Sequence, residues 1–173
     1  MTLIIREWTE SDIPSVQEIA WSTWLTTYST FIPRTDMRSF FDEYYTVEKL
    51  AQFCNSNSAK GFVAEFDAAS VGFAKTIFNL DEKRFYLNSL YILPTFQGKG
   101  VGSKLLSASE NFALSLGASE VWLGVMAQNT DALQWYKKIG FEFVKEEPFT
   151  MGDTTVNHLI GYRTITRKKL DGK

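Results

Sequence analysis

Apolar and polar positions change period several times along the chain. Residues 3–7, Leu-Ile-Ile-Arg-Glu, read as a short first strand. Thr9, Glu10, Ser11 and Asp12 offer helix N-cap side chains, and Pro14 suits a first helical turn. Ile13, Val16, Ile19 and Ala20 then recur at helical spacing, continued by Thr23 and Trp24. Pro33 breaks this run, and the pattern predicts further helices over about 35–45 and 46–54, followed by a polar loop at 55–58. The period then shortens. Residues 61–66 and 71–78 flank a short turn and read as a hairpin, 80–83 make another turn, and 84–93 form a strand rich in aromatic and branched residues that ends at Pro94.

Residues 98–116 read as a loop entering a helix, with Leu105, Leu106, Ala108, Phe112, Ala113 and Leu116 near one face and Gly117 as its stop. A strand over 120–126 precedes a helix capped by Asn129-Thr130-Asp131, carrying Ala132, Leu133, Trp135 and Tyr136 and closed by Gly140. Residues 141–144 and 156–166 give two last strands. The order is strand, helices, three strands, helix, strand, helix, two strands, with no repeat, low-complexity segment or long linker. This predicts one mixed α/β domain over 1–166 and a solvated basic tail over 167–173.

Composition narrows the function classes. A chain of 173 residues, 45% apolar and 22% charged, fits one self-sufficient core. A net charge of -2 does not point to nucleic acid. Charge distribution says more: 83–109 contain no carboxylate but include Lys83, Arg84, Lys99 and Lys104, which suits an anionic ligand. The single cysteine, Cys54, rules out a disulfide framework within one chain and points to a reducing compartment. The first residues turn charged at Arg6 and Glu7, too early for a signal peptide, and no apolar run approaches the roughly 18 residues of a membrane span. A cytoplasmic protein without metal, nucleic-acid or membrane partners is expected.

The candidate chemistry lies in Leu90-Tyr91-Ile92-Leu93-Pro94-Thr95-Phe96-Gln97-Gly98-Lys99-Gly100-Val101-Gly102-Ser103. Here a buried strand runs through three glycines into a helix. Glycine opens backbone conformations closed to other residues, and the first amides of a helix lack internal acceptors at the positive end of its dipole. Such a turn cradles a diphosphate. A nucleotide P-loop requires Gly-Lys-Ser/Thr, whereas Gly102 is followed by Ser103-Lys104. A dinucleotide fingerprint requires its third glycine one position later than Gly102.

Gln97-x-x-Gly100-x-Gly102 after Leu90-Tyr91-Ile92 resembles the acetyl-CoA motif of the GNAT N-acetyltransferase superfamily. About thirty residues on, Asn129-x-x-Ala132-x-x-x-Tyr136-Lys137-Lys138-x-Gly140-Phe141 resembles that family's second motif. Trp122-Leu123-Gly124-Val125 and Met151-Gly152-Asp153 resemble the bacterial polyamine acetyltransferases of the PaiA type.

The resemblance implies a mixed α/β fold, with a largely antiparallel sheet of about seven strands whose fourth and fifth strands splay apart. It implies acetyl-CoA as co-substrate, with its pantetheine arm on Leu90, Tyr91 and Ile92. The pyrophosphate would lie on the amides of Gln97, Gly98, Lys99, Gly100, Val101, Gly102 and Ser103. Asn129 would contact the arm, Lys138 is placed with the cofactor contacts, and Tyr136 would lie near the sulfur as the catalytic group.

Direct attack by an amine within a ternary complex sets three tasks: the amine, with a pKa of about 10, must lose a proton, the developing oxyanion needs donors, and the sulfur needs a proton as it leaves. Tyr136 suits the last, and a fourth-strand amide such as that of Tyr91 the second. Many family members place a carboxylate on the fourth strand, but the comparable residue here is Asn88, which accepts no proton at neutral pH. Deprotonation through water ordered by Asn88 or Ser89 is the expectation. His158, the single histidine, lies on a late strand where a solvent-facing or structural role is expected. For the acceptor, the resemblance implies that the first helical region borders the pocket; here it carries the aromatic cluster Trp21, Trp24, Tyr28 and Phe31, whose ring faces, with Asp42 or Glu43 nearby, would hold a cationic amine. Trp24, Tyr28 and Asn88 are the candidate substrate contacts. The expected partner is a small-molecule amine such as a polyamine, self-association as a homodimer is left open, and a non-catalytic acyl-CoA sensor on the same fold is the alternative.

Overall fold

The computed structural model describes residues 2–166. The predicted basic tail, 167–173, lies outside the described residues. The elements are β1 (Leu3–Glu7), α1 (Ile13–Tyr28), α2 (Arg34–Tyr44), α3 (Val47–Cys54), β2 (Ala59–Phe66), β3 (Ala69–Asn79), β4 (Arg84–Ile92), α4 (Val101–Ser115), β5 (Glu120–Met126), α5 (Thr130–Lys138), β6 (Glu142–Met151) and β7 (Thr154–Thr164). The strands form one sheet in the order β1-β2-β3-β4-β5-β7-β6. Every neighbouring pair is antiparallel except β4 and β5.

The sheet carries a core on each face. α1, α2 and α3 cover one, where Trp24, Ile32, Met37, Leu50, Val63, Phe73 and Met126 are buried. α4 and α5 cover the other over Val71, Phe85, Leu87, Leu105, Val121 and Leu123. Burying such a side chain contributes about 1.5–3 kcal/mol. At the entry to α1, the Arg6 guanidinium grips Asp12 at 2.7 Å and Glu65 at 2.6 Å, linking β1, β2 and the helix start. That grip holds the Asp12 carboxyl below its usual range.

Two features differ from the sequence pattern. The strand expected over 141–144 continues to Met151, through Pro148, a residue type rare inside strands. β6 is one of the sheet's two edge strands, where a residue lacking an N–H costs no ladder bond on its free side. A tight turn at Gly152 then starts β7, two residues before the predicted 156.

The second is a bulge. β3 pairs Lys75 with Ser89 and Thr76 with Leu87, so Asn88 is the extra residue of β4. A bulge bends the strand and re-aims the side chain beside it. β4 and β5 then pair at only Phe85↔Val121 and Tyr86↔Trp122 before they part, which opens a V in the sheet.

Candidate active site

The V widens into a cleft of about 1150 Å³ whose walls come from both sheet halves and from α1, α2 and α5. On the α4 side its floor is the glycine turn. Gly98 and Gly100 hold φ of 73° and 79°, left-handed values that cost an L side chain about a kcal/mol or more. An added Cβ at either would meet nothing within 4 Å, so that side of the turn is open. The Gln97 amide bonds Pro94, and Lys104 closes the first helical bond to Gly100. Between them, the amides of Gly98, Lys99, Gly100, Val101, Gly102 and Ser103 find no acceptor among the described residues. Six consecutive free N–H groups at the start of a helix make an anion cradle.

Side chains here divide by position. Gly98, Gly100, Gly102, Gln97 and Ser103 line the cleft. Val101 turns its side chain into the core, 1% exposed, while Lys99 lies over the Phe96 ring at 5.0 Å and does not line the cleft. Both offer the cradle only their amides. Leu90, Tyr91 and Ile92 form the β4 edge that β5 has left unpaired, and the Gln97 side chain donates to the Ile92 carbonyl at 3.1 Å. Asn129 caps α5, its side-chain oxygen accepting from the Ala132 amide at 3.4 Å, and also lines the cleft. Lys138 is exposed at the far end of α5 and does not reach it.

Four phenols converge inside. Tyr136 from α5 is 8% exposed, packed edge-on to Trp135 and Phe141. Burial, and then the neighbouring Tyr91, raise its ionisation well above the free phenol's, so it carries its proton at neutral pH. Tyr28, Tyr45 and Tyr91 are raised in the same way, by burial first. The Tyr45 hydroxyl and Ser89 Oγ share a buried hydrogen bond of 3.0 Å. Buried neutral phenols are fixed donors, suited to a developing negative charge.

On the opposite sheet face, Trp24, Tyr28, Phe40, Tyr44, Tyr45 and Phe149 wall the cleft, and Asn88, freed by the bulge, is exposed within it. Trp24 is 1% exposed and packs against Phe41, Tyr45 and Tyr91, so it offers the cleft only an edge. Trp21 and Phe31 do not line it: Trp21 carries the Arg38 guanidinium at 4.2 Å. Asp42 and Glu43 stand outside as well, because the helical period of α2 that sends Phe40 and Tyr44 inward turns both away. The carboxylate on this wall is Glu147 of β6, paired with Lys145 at 2.9 Å.

Two residues that the sequence reading left aside enter the wall. Lys75 is pressed between the rings of Tyr45 and Phe53, at 5.5 and 5.3 Å, and its burial pushes the ammonium pKa down. His158 is half-buried, its ring lying over Gly124 and 4.9 Å from Phe149. Burial lowers its pKa, with Gly124 and Glu147 opposing. Among the described residues no group of three or more His, Cys, Asp or Glu is placed to hold a metal ion, and no helix is long and apolar enough to cross a membrane.

An open strand pair over a helix-capping glycine cradle has a close counterpart in known sequences. The family model described as acetyltransferase (GNAT) family matches residues 14–141. The chain belongs to the GNAT family. It is thus an acetyl-CoA-dependent acyltransferase, and the parting of β4 and β5 is the family's splay. The spermidine N(1)-acetyltransferase of Thermoplasma acidophilum is 30% identical over 148 residues, 82% of this chain and 89% of that one. An uncharacterized N-acetyltransferase of Mycobacterium tuberculosis is 29% identical over 127 residues, 73% of this chain and 81% of that one. In structure, the chain is similar to the PaiA N-acetyltransferase of Thermoplasma acidophilum in complex with coenzyme A. The TM-score is 0.82 at 25% identity, covering 95% of this chain and all of that one.

Proposed function

We propose that this GNAT protein transfers the acetyl group of acetyl-CoA to a primary amine of a small molecule, a polyamine being the favoured acceptor, by direct attack in a ternary complex. The observation that carries the cofactor half is the run of six unpartnered amides from Gly98 to Ser103, beside an open glycine surface. A diphosphate is the ligand chemistry that such a run satisfies. The open β4 edge at Leu90, Tyr91 and Ile92 supplies backbone groups for an amide-bearing arm, and Asn129 adds a side-chain amide from the other wall. The thioester supplies an activated acyl group.

Tyr136, held neutral by burial, donates to the sulfur as the C–S bond breaks. A β4 amide such as that of Tyr91 faces the carbonyl oxygen. The acceptor enters from the α1–α2 side between Trp24, Tyr28 and Asn88, past the exposed Tyr44 ring, whose face attracts a cation. The polyamine assignment draws support from the spermidine acetyltransferase and PaiA relatives, and from Glu147 on that wall.

Thiol release from acetyl-CoA, followed across spermidine, spermine, amino acids, aminoglycosides and arylalkylamines, tests the reading. Turnover with a polyamine at the lowest KM is the expected result. Tight CoA binding without turnover on any amine would instead make the protein an acyl-CoA sensor.

A further inference from the structure

The transfer proposed above needs a group that takes a proton from the attacking nitrogen, and β4 offers none: its residues from Leu87 to Ile92 carry no carboxylate, and the bulge residue is Asn88. The register of the sheet says what stands opposite. β4 and β5 run parallel and last pair at Tyr86 and Trp122; two residues on from that pair stand Asn88 of β4 and Gly124 of β5, both lining the cleft on either side of the V. Gly124 has no side chain, and the His158 imidazole occupies that space: a Cβ built on Gly124 would stand only 2.3 Å from the ring's Cε1. His158 reaches it from β7, where it pairs with Met126, and Phe149 supports its other side. The ring is therefore fixed on the sheet face that carries Trp24 and Tyr28, across the V from β4, and open to the cleft that Asn88 also lines.

We propose that His158 is the base of the acetyl transfer, receiving from the cleft wall opposite Asn88 the proton that the acceptor amine sheds. The inference rests on the transferase reading given above. As the N–C bond forms, one N–H proton passes to the free ring nitrogen of His158. As the C–S bond breaks, the sulfur takes the Tyr136 hydroxyl proton, and water in the cleft returns the proton from the imidazolium to the phenolate. An amine that arrives as ammonium releases one further proton to solvent. The sum is amide plus free thiol, with both side chains restored.

The surroundings suit a base that starts neutral. Burial disfavours the imidazolium, while Glu147, the cross-strand partner of His158 on β6, favours it once formed. The other charge on that strand face is Lys145, paired to Glu147. β5 contributes Gly124 and Met126, which do not titrate. From β4 the mouth presents Asn88, with Tyr86 and Arg84 at the closed end of the V. Of the α2 groups, Asp36 is engaged by Thr154 at the start of β7, four residues before His158, 2.5 Å away.

His158 is the chain's one histidine, so in protein without a histidine tag every imidazole proton resonance belongs to it. The test pairs its NMR titration with the pH profile of kcat/KM, using whichever of spermidine, lysine and phenethylamine the wild type acetylates fastest. The profile should rise with pH through a midpoint within half a unit of the NMR midpoint. H158Q should lose about 100-fold in kcat and lose that limb, with CoA affinity and Tm kept. E147Q, which removes the charge that favours the imidazolium, should move both midpoints to lower pH together.

A His158 titration more than a unit from the kinetic limb overturns the proposal, and does so whether or not H158Q folds. So does a folded H158Q with wild-type kcat, or one that is slow but keeps the limb. In these cases the wild type still transfers acetyl groups, and the transferase reading stands. A wild type that acetylates no amine of the full panel removes both.

Discussion

At the scale of single residues, the cleft separates groups that act through their backbone from groups that act through their side chains. Gly100 belongs to the first kind. Its φ of 79° is left-handed, its amide is free, and the space a side chain would fill is open. Gly100→Asp adds backbone strain and a negative charge where a diphosphate is proposed to bind. CoA affinity, measured by calorimetry, should fall about 10- to 100-fold, the size of one or two lost charge-assisted hydrogen bonds. Unchanged affinity in a folded variant would remove the cradle assignment.

Tyr136 belongs to the second kind. Its ring is core, touching Trp135 and Phe141, and only the hydroxyl serves the proposed chemistry. Tyr136→Phe keeps the ring, so stability should change little while kcat drops about 100-fold and the KM for acetyl-CoA holds. Because burial raises the Tyr136 pKa, its own ionisation should leave no limb in the profile below about pH 10, the free phenol's range.

At the scale of elements, the sequence was legible where one local signal decides. The glycine turn, the Asn129 cap and the strand from 84 each stand close to where residue pattern placed them. Pairing partners were not legible, and that is where the reading fell short. Nothing local to 145–151 says that this charged, Pro148-containing stretch lies at a sheet edge, and the pattern ends the strand at 144, seven residues before Met151. Nothing local to Asn88 says that β3 skips it. Lys75 alternates with Phe73 and Ile77, a pattern that places it on a helix-covered face, yet only the tertiary arrangement sets it between Tyr45 and Phe53. His158 reads as an isolated polar residue until β5 pairs beside it and leaves Gly124 bare.

The β6–β7 hairpin carries Glu147, Phe149 and His158, and its tip is fixed to α2. Gly152 holds φ of 60°, and a Cβ there would stand 2.6–2.8 Å from Asp36, whose carboxylate also accepts from Thr154. Gly152→Ala must therefore lift the tip off α2. It should cost about 1–3 kcal/mol in urea unfolding and raise the KM for the amine, with CoA affinity unaltered. A variant that lost CoA affinity instead would mean that the hairpin does not belong to the acceptor side.

For the molecule as a whole, the V is also where the sheet is weakest. Its two parts, β1 to β4 and β5 to β7, share only two β4–β5 residue pairs, and α4 and α5 lie over the join. A ligand that bonds the α4 amides and lies along the free β4 edge on one side and against Asn129 and Tyr136 on the other ties these parts together in the folded chain and finds no such site in the unfolded one. Binding selective for the native state adds RT ln(1 + [L]/Kd), about 2.7 kcal/mol at a hundredfold excess over Kd. For a chain of this length that corresponds to roughly 5–10 °C in Tm.

CoA without its acetyl group should give this full shift, since the proposed contacts hold the diphosphate and the arm rather than the acyl unit. Gly100→Asp should lose from about half to most of the shift at the same concentration. Tyr136→Phe and H158Q should keep it, because both act on the transfer and not on the cradle. A wild type whose melting is indifferent to CoA would show that the free amides of the glycine turn have some other use.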